Sequence, residues 1–164
     1  MNETKIPKFE RVLPAPRDKV WQAWTDPEII KKWWGPAGFS APVAEIDLRV
    51  GGKYLYCMRG SISPGQPQQD FYSGGEFLEI VPLEKIALTD YFTDKDGSFV
   101  KPSAYGMGEM PEKMHVTITF EDAGENQTKL TIRYAEEIPD EHRAGMIQGW
   151  DETLDKFGKA LGEV

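Results

Sequence analysis

A chain of 164 residues, 40% of them hydrophobic, is long enough to bury a sizeable core as one domain without disulfide or metal staples. Its formal charge of −8 repels phosphate backbones and argues against nucleic acid as a partner. The single cysteine, Cys57, rules out an internal disulfide and fits a reducing, cytoplasmic setting. No run of about 18 apolar residues is present, so no membrane insertion is expected, and the polar start lacks a signal-peptide core.

After a tail over residues 1–7, one domain is expected over residues 8–164. Lys8 to Leu13 reads as a strand with Phe9 and Arg11 on one face, ended by Pro14 and Pro16. Pro16-Arg17-Asp18 opens a short helix carrying Val20, Trp21 and Trp24. Thr25-Asp26-Pro27 then breaks and restarts it, since Thr25 or Asp26 can cap and Pro27 suits a first turn. The second short helix holds Ile29, Ile30, Trp33 and Trp34 and stops at Gly35-Pro36.

From Pro42 the apolar period changes to two. Strands are expected at Val43–Val50, Lys53–Arg59, Asp70–Val81, Lys85–Phe92, Met114–Phe120 and Lys129–Tyr134. Gly51-Gly52 marks a tight turn, and Gly74-Gly75 marks a bend inside a strand. The stretch Thr93–Pro111 is irregular and long enough to be functional.

The last element, Pro139 to Leu161, is a helix with Met146, Ile147, Trp150, Leu154, Phe157 and Leu161 as its apolar stripe. Glu152/Lys156 and Asp155/Lys159 have the spacing of i,i+4 ion pairs on the other side. Strands joined by short turns imply an antiparallel sheet, and one curved sheet wrapped on one long helix is an α+β architecture.

Four segments carry a resemblance: Val20-Trp21-Gln-Ala-Trp24-Thr25-Asp26-Pro27, Trp33-Trp34-Gly35-Pro36, Asp47-Leu-Arg49-Val50-Gly51-Gly52 and Gly149-Trp150. In this order they resemble the family related to the activator of Hsp90 ATPase, within the START-like, or Bet v 1-like, superfamily. The resemblance runs from about Lys8 to Leu161. It implies a helix-grip fold, a curved antiparallel sheet of about seven strands around the C-terminal helix, with a cavity between them. It does not imply one function. The fold hosts lipid carriers, hormone receptors, polyketide cyclases and co-chaperone domains.

Candidate walls of such a cavity are Trp24, Trp33, Trp34, Tyr54, Tyr56, Phe92, Tyr105, Met107, Met110, Met114 and Trp150. For any one of these side chains taken alone, a place in the core is the more ordinary reading, since burial is their usual fate. Gly145 and Gly149 are costly inside a helix, about 1 kcal/mol each against Ala, which points either to close packing or to room for a guest. Met107 and Met110 suit an adaptable lid, or equally a loop that merely covers the sheet edge. Asp90 is the only acid in register with Ile86, Leu88 and Phe92, and is a candidate polar anchor or general base; the plainer alternative is a carboxylate at a strand end in water. Asp47 and Arg49, two apart on one strand face, offer an anion or substrate site, but read more plainly as a salt-bridged pair positioning the glycine turn.

The two histidines, His115 and His142, have no ligand spacing, so neither a metal nor a cofactor is expected. The leading expectation is a binding protein or sensor for a small hydrophobic, aromatic or lipid-like ligand. An enzyme of the cyclase or hydrolase type would need Asp90, Arg49, His115 or Tyr105 to reach one substrate atom. A role beside an Hsp90-type chaperone is the least favoured, because the chain reads as a lone domain. Exposed edge strands allow a homodimer without requiring it.

Overall fold

The computed structural model describes residues 5–163, so part of the expected N-terminal tail lies outside the described residues. In chain order the elements are β1 (Lys8–Leu13), α1 (Arg17–Thr25), α2 (Pro27–Trp33), β2 (Ser40–Ile46), β3 (Lys53–Gly60), β4 (Gln69–Val81), β5 (Lys85–Thr93), a 3-10 turn (Pro102–Tyr105), β6 (Met114–Asp122), β7 (Thr128–Tyr134) and α3 (Asp140–Leu161). The strands form one antiparallel sheet in the order β1-β7-β6-β5-β4-β3-β2. The sheet curls around α3, giving the α+β helix-grip architecture. No described helix is long and apolar enough to cross a membrane.

Local chemistry explains the breaks. Asp26 caps α2, its Oδ1 accepting from the Glu28 N–H at 2.9 Å, and Pro27 occupies the first turn. The β2 strand ends at Ile46, earlier than the alternation suggests, because Asp47 to Gly52 folds into a turn of its own. The Gly52 N–H donates to the Arg49 carbonyl at 2.8 Å, and a Cβ on Gly52 would lie 2.1 Å from the Asp47 carbonyl oxygen. Asp47 and Arg49 are therefore turn residues, and their side chains pair at 2.8 Å in the open.

The bend in β4 has a cause of the same kind. A Cβ on Gly75 would lie 1.8 Å from the Thr89 carbonyl oxygen, so only glycine lets β4 approach β5 there. The β4–β5 register runs to Gly74 opposite Tyr91 and resumes at Phe77 opposite Leu88. In between, the Glu76 N–H donates to Thr89 Oγ1 at 3.0 Å, a side chain standing in for a ladder carbonyl. A β-bulge follows between Phe77 and Glu79.

The helix α3 is seated unevenly. Its buried residues are Thr153, Leu154, Phe157, Ala160 and Leu161, all in the C-terminal half. There Phe157 meets Trp33 edge-on at 4.7 Å and Trp24 at 5.3 Å between ring centres. Its backbone comes close to α1, α2 and β1, not to the β3–β5 arc to the same degree. In the N-terminal half Met146, Gly149 and Trp150 are only half-buried. Ile147, expected in the apolar stripe, is 51% exposed, and Thr153 and Ala160 face inward instead.

The charged side of α3 also departs from simple helical pairing. Arg11 of β1 holds Asp151 and Asp155 at 2.6 Å each. Lys156 donates to the carbonyls of Gly35, Pro36 and Phe39 at 3.0, 3.3 and 2.9 Å. The expected partners within the helix lose to tertiary ones, because neighbouring loop carbonyls and a strand guanidinium lie within reach. Burial holds the Lys156 ammonium below its ordinary pKa.

This uneven seating has a measurable consequence. Phe157→Ala should lower the unfolding free energy by about 3–5 kcal/mol. Met146→Ala, at the half-exposed end, should cost about 1 kcal/mol or less. Urea denaturation of both variants checks this; equal losses would mean that α3 is packed uniformly.

Candidate functional site

The concave face between the N-terminal half of α3 and the strands β3 to β5 collects about half of the expected site residues. Tyr54 and Tyr56 project from β3 with their ring centres 4.8 Å apart. Tyr56 meets Trp34 at 4.8 Å, and Trp34 meets Trp150 of α3 at 5.9 Å. The Trp150 indole N–H donates to the Tyr134 hydroxyl at 3.0 Å. Trp150 also stacks on Trp24, 6.3 Å apart and nearly parallel at 7°. These side chains form a continuous aromatic arc from β3 to β7.

Asp90 sits within that arc, not at a strand end in water. The Tyr54 hydroxyl lies 3.0 Å from its Oδ1 and 2.8 Å from the Thr89 carbonyl. One hydroxyl proton faces two acceptors. With Asp90 protonated, the carboxyl can donate to Tyr54 while Tyr54 donates to Thr89, and every group is satisfied. With Asp90 ionised, the hydroxyl must turn to the carboxylate and the Thr89 carbonyl is left without it.

Proton counting and burial act in the same direction here. Desolvation pushes the Asp90 carboxyl up from an ordinary 3.8 to about 6, and the Tyr54 hydrogen bond offsets only part of that. Asp90 is densely enclosed by protein, yet half-buried rather than sealed from water. Burial and the Asp90 charge both hold the phenols of Tyr54, Tyr56 and Tyr134 well above their usual range.

The surroundings of Gly149 remove one of the two readings of its sequence. Gly149 is half-buried, and a Cβ added to it would meet no atom within 4 Å. Close packing is therefore not the reason for glycine; there is room next to it. The same holds at Gly145, which lies on the exposed side.

Other expected wall residues take different roles. Trp33 is 1% exposed, enclosed by Trp24, Phe157 and Trp34, with its indole N–H donating to the Ala23 carbonyl at 2.9 Å. It belongs to the floor of the core. Trp24 is buried beside it, as are Met110 and Met114 further along the chain. Tyr105 lies between Phe71 at 5.5 Å and Phe92 at 5.3 Å. Its hydroxyl donates to the Thr93 carbonyl at 2.7 Å, tying the irregular stretch to the end of β5. Met107, half-buried, packs against the core from that stretch.

The four groups that an acid–base mechanism would need do not converge. Arg49 is committed to Asp47 in an exposed turn. His115 is exposed, with Nδ1 2.6 Å from Glu136. The Tyr105 hydroxyl is engaged by backbone groups. Only Asp90 faces the aromatic arc.

A family model described as "Activator of Hsp90 ATPase homolog 1-like protein" matches residues 14–162. The chain belongs to this family. Protein CV1439 from Chromobacterium violaceum is 31% identical, with a TM-score of 0.75, 96% of this chain and 97% of that one covered. A family protein from Silicibacter pomeroyi shares 21% identity at a TM-score of 0.70, covering 96% and 97% of the two chains. DynU16, described as a protein of the dynemicin biosynthetic locus, shares the fold at 19% identity and a TM-score of 0.62, with 96% of this chain and 47% of that one covered. No curated protein matches the chain.

Three further features of this member of the Hsp90-activator-like family lie away from the arc. One open groove of about 570 Å³ crosses the convex face between Leu78, Tyr91, Phe99 and His115. Another of about 640 Å³ lies beside the start of α3, around Glu109, Pro139 and Glu141. Both are open and mix polar with apolar lining, which suits an enclosed apolar guest poorly. Next to the second, Glu109, Glu141 and His142 bring donor atoms within 4.8 Å of one another. Sequence spacing could not reveal this trio, because Glu109 lies 33 residues before its partner His142. It sits at the positive end of a helix dipole, where a cation is disfavoured.

Asp90 makes the stability of the protein depend on pH in an identifiable direction. Its native pKa of about 6 lies above the ordinary 3.8, so the native state binds the extra proton between those values. Stability should therefore fall as pH rises through that window, at most by about 1.4 kcal/mol per pH unit, and level off above it. Asp90→Asn should remove that slope and be the more stable protein at pH 7. Denaturation midpoints from pH 4 to 8, with carboxyl NMR titration of Asp90, check this.

Proposed function

We propose that the protein binds a small hydrophobic molecule in a recess between the N-terminal half of α3 and the β3–β5 arc. Trp34, Tyr56 and Trp150 would form its walls, and Asp90 would be its polar contact. One observation carries this reading: α3 is fully packed at its C-terminal end and stands off at the other, where the half-buried Gly149 has open space beside it. A helix resting on a curved sheet without filling it leaves the kind of apolar concavity in which small ligands are held.

The family and its fold support ligand binding in general terms. Catalysis is the weaker reading, because Arg49, His115 and Tyr105 are engaged elsewhere and Asp90 alone faces the arc. A lone carboxyl can anchor a guest, but it lacks the second group that acid–base chemistry needs for proton return. Met107, with Gly106 in a left-handed turn before it, supplies an adaptable apolar side chain beside the core.

Gly149→Leu separates binding from folding. The substitution should gain about 1 kcal/mol of helix propensity, while its side chain occupies the open space. The variant should therefore melt no lower than the parent and yet lose the fluorescence enhancement of Nile red, a neutral apolar dye. Retained dye binding in a folded Gly149→Leu protein would refute the recess.

A further inference from the structure

Several acids of this protein are answered by cations. Asp151 and Asp155 meet Arg11, Asp70 meets Arg59, Glu10 meets Lys8 and Lys129, and Asp47 meets Arg49. These acids lie at the surface, where a partner adds little. Asp90 is the enclosed one, and no Lys, Arg or His among the described residues pairs with it. Among the described residues its side-chain partner is the Tyr54 hydroxyl.

An ionised carboxylate in such surroundings is costly unless an opposite charge approaches it. The groups around it are aromatic. Tyr54, Tyr56, Trp34 and Trp150 follow one another at ring-centre separations of 4.8, 4.8 and 5.9 Å, and Tyr134 closes the arc through its bond to Trp150. The faces of such rings carry negative potential and attract cations, most strongly where water is excluded. A lone carboxylate set in an aromatic arc is thus complementary to a positive, largely apolar guest. The overall charge of −8 favours the approach of a cation and opposes an anion.

Resting on the binding reading above, we propose that the natural guest is a hydrophobic amine, whose protonated nitrogen supplies the counter-charge that Asp90 lacks. The ammonium would hydrogen-bond the Asp90 carboxylate while its apolar body lies along Trp34, Tyr56 and Trp150. The Tyr54 hydroxyl would then remain with Thr89, because the guest, not the phenol, serves the carboxylate. No covalent step is involved.

Binding of this kind is linked to protons. The titratable groups facing Asp90 are Tyr54 and Tyr56 on β3 and Tyr134 on β7, with Glu136 acting on Tyr134 from beyond it. The three phenols stay neutral across the neutral range, since burial raises them. Asp90 is therefore the group that changes charge when an amine enters at mildly acidic pH.

Three shape-matched probes test the assignment on the full chain by calorimetry: phenylbutylamine, phenylbutanol and phenylpentanoate. At pH 7.5 the amine should bind at least tenfold more tightly than the alcohol, and the carboxylate should bind most weakly. In Asp90→Asn the amine should lose its preference and fall to the level at which that variant binds the alcohol. At pH 5.5, amine binding to the parent should release a proton, seen as a dependence of the heat on the buffer's ionisation enthalpy; alcohol binding should release none. If the alcohol binds the parent as tightly as the amine, or Asp90→Asn keeps the amine preference, the amine assignment is overturned and the recess stands. If no probe binds and Nile red is not taken up, the recess itself is overturned and the assignment with it.

Discussion

The contact between Phe157 and the pair Trp24 and Trp33 is the constraint on which the remaining structure depends. These three rings interlock at 4.7–5.3 Å and fix the C-terminal half of α3 against α1 and α2. Such aromatic packing adds about 0.5–1.5 kcal/mol per pair beyond the area buried. Arg11 on one side and Lys156 on the other set the rotation of the helix, by gripping Asp151 and Asp155 and by gathering the carbonyls after α2. With that end fixed, the direction of the other end follows, and so does the distance at which Trp150 faces Trp34 and Tyr134.

A second constraint comes from the sheet. The close approach at Gly75 interrupts the β4–β5 ladder beside the Thr89 carbonyl. Tyr54 reaches across to that carbonyl and meets Asp90 on the way. The elevated pKa of Asp90 is therefore connected to a backbone irregularity that a glycine makes possible. Fold and site share this arrangement: the bend that lets the sheet curl also places an acid, a phenol and a carbonyl around one proton.

Much of this was legible in the sequence. Period-two alternation located every strand, and the apolar stripe with its Pro139 start located α3, because these patterns report burial directly. The end of β2 was not legible, since alternation continues through Asp47 and Arg49 while the chain has already turned. The i,i+4 pairs on α3 were misread for a related reason: sequence spacing shows which partners a helix offers, not which ones neighbouring elements provide. At the site, the register of Asp90 with Ile86, Leu88 and Phe92 was visible, but its Tyr54 partner 36 positions away was not. Trp33 and Trp34 are adjacent and chemically identical. Only the packing shows that one is floor and the other half-open.

The unequal attachment of α3 also has a consequence for motion. Free energies of local opening follow burial, so the two ends of one continuous helix need not share a single barrier. The stretch from Asp140 to Gly149, with none of its residues fully buried, can breathe while the tryptophan-anchored end stays shut. Exchange with the solvent could then proceed by brief fraying at a hinge near Trp150, with no need to melt the domain.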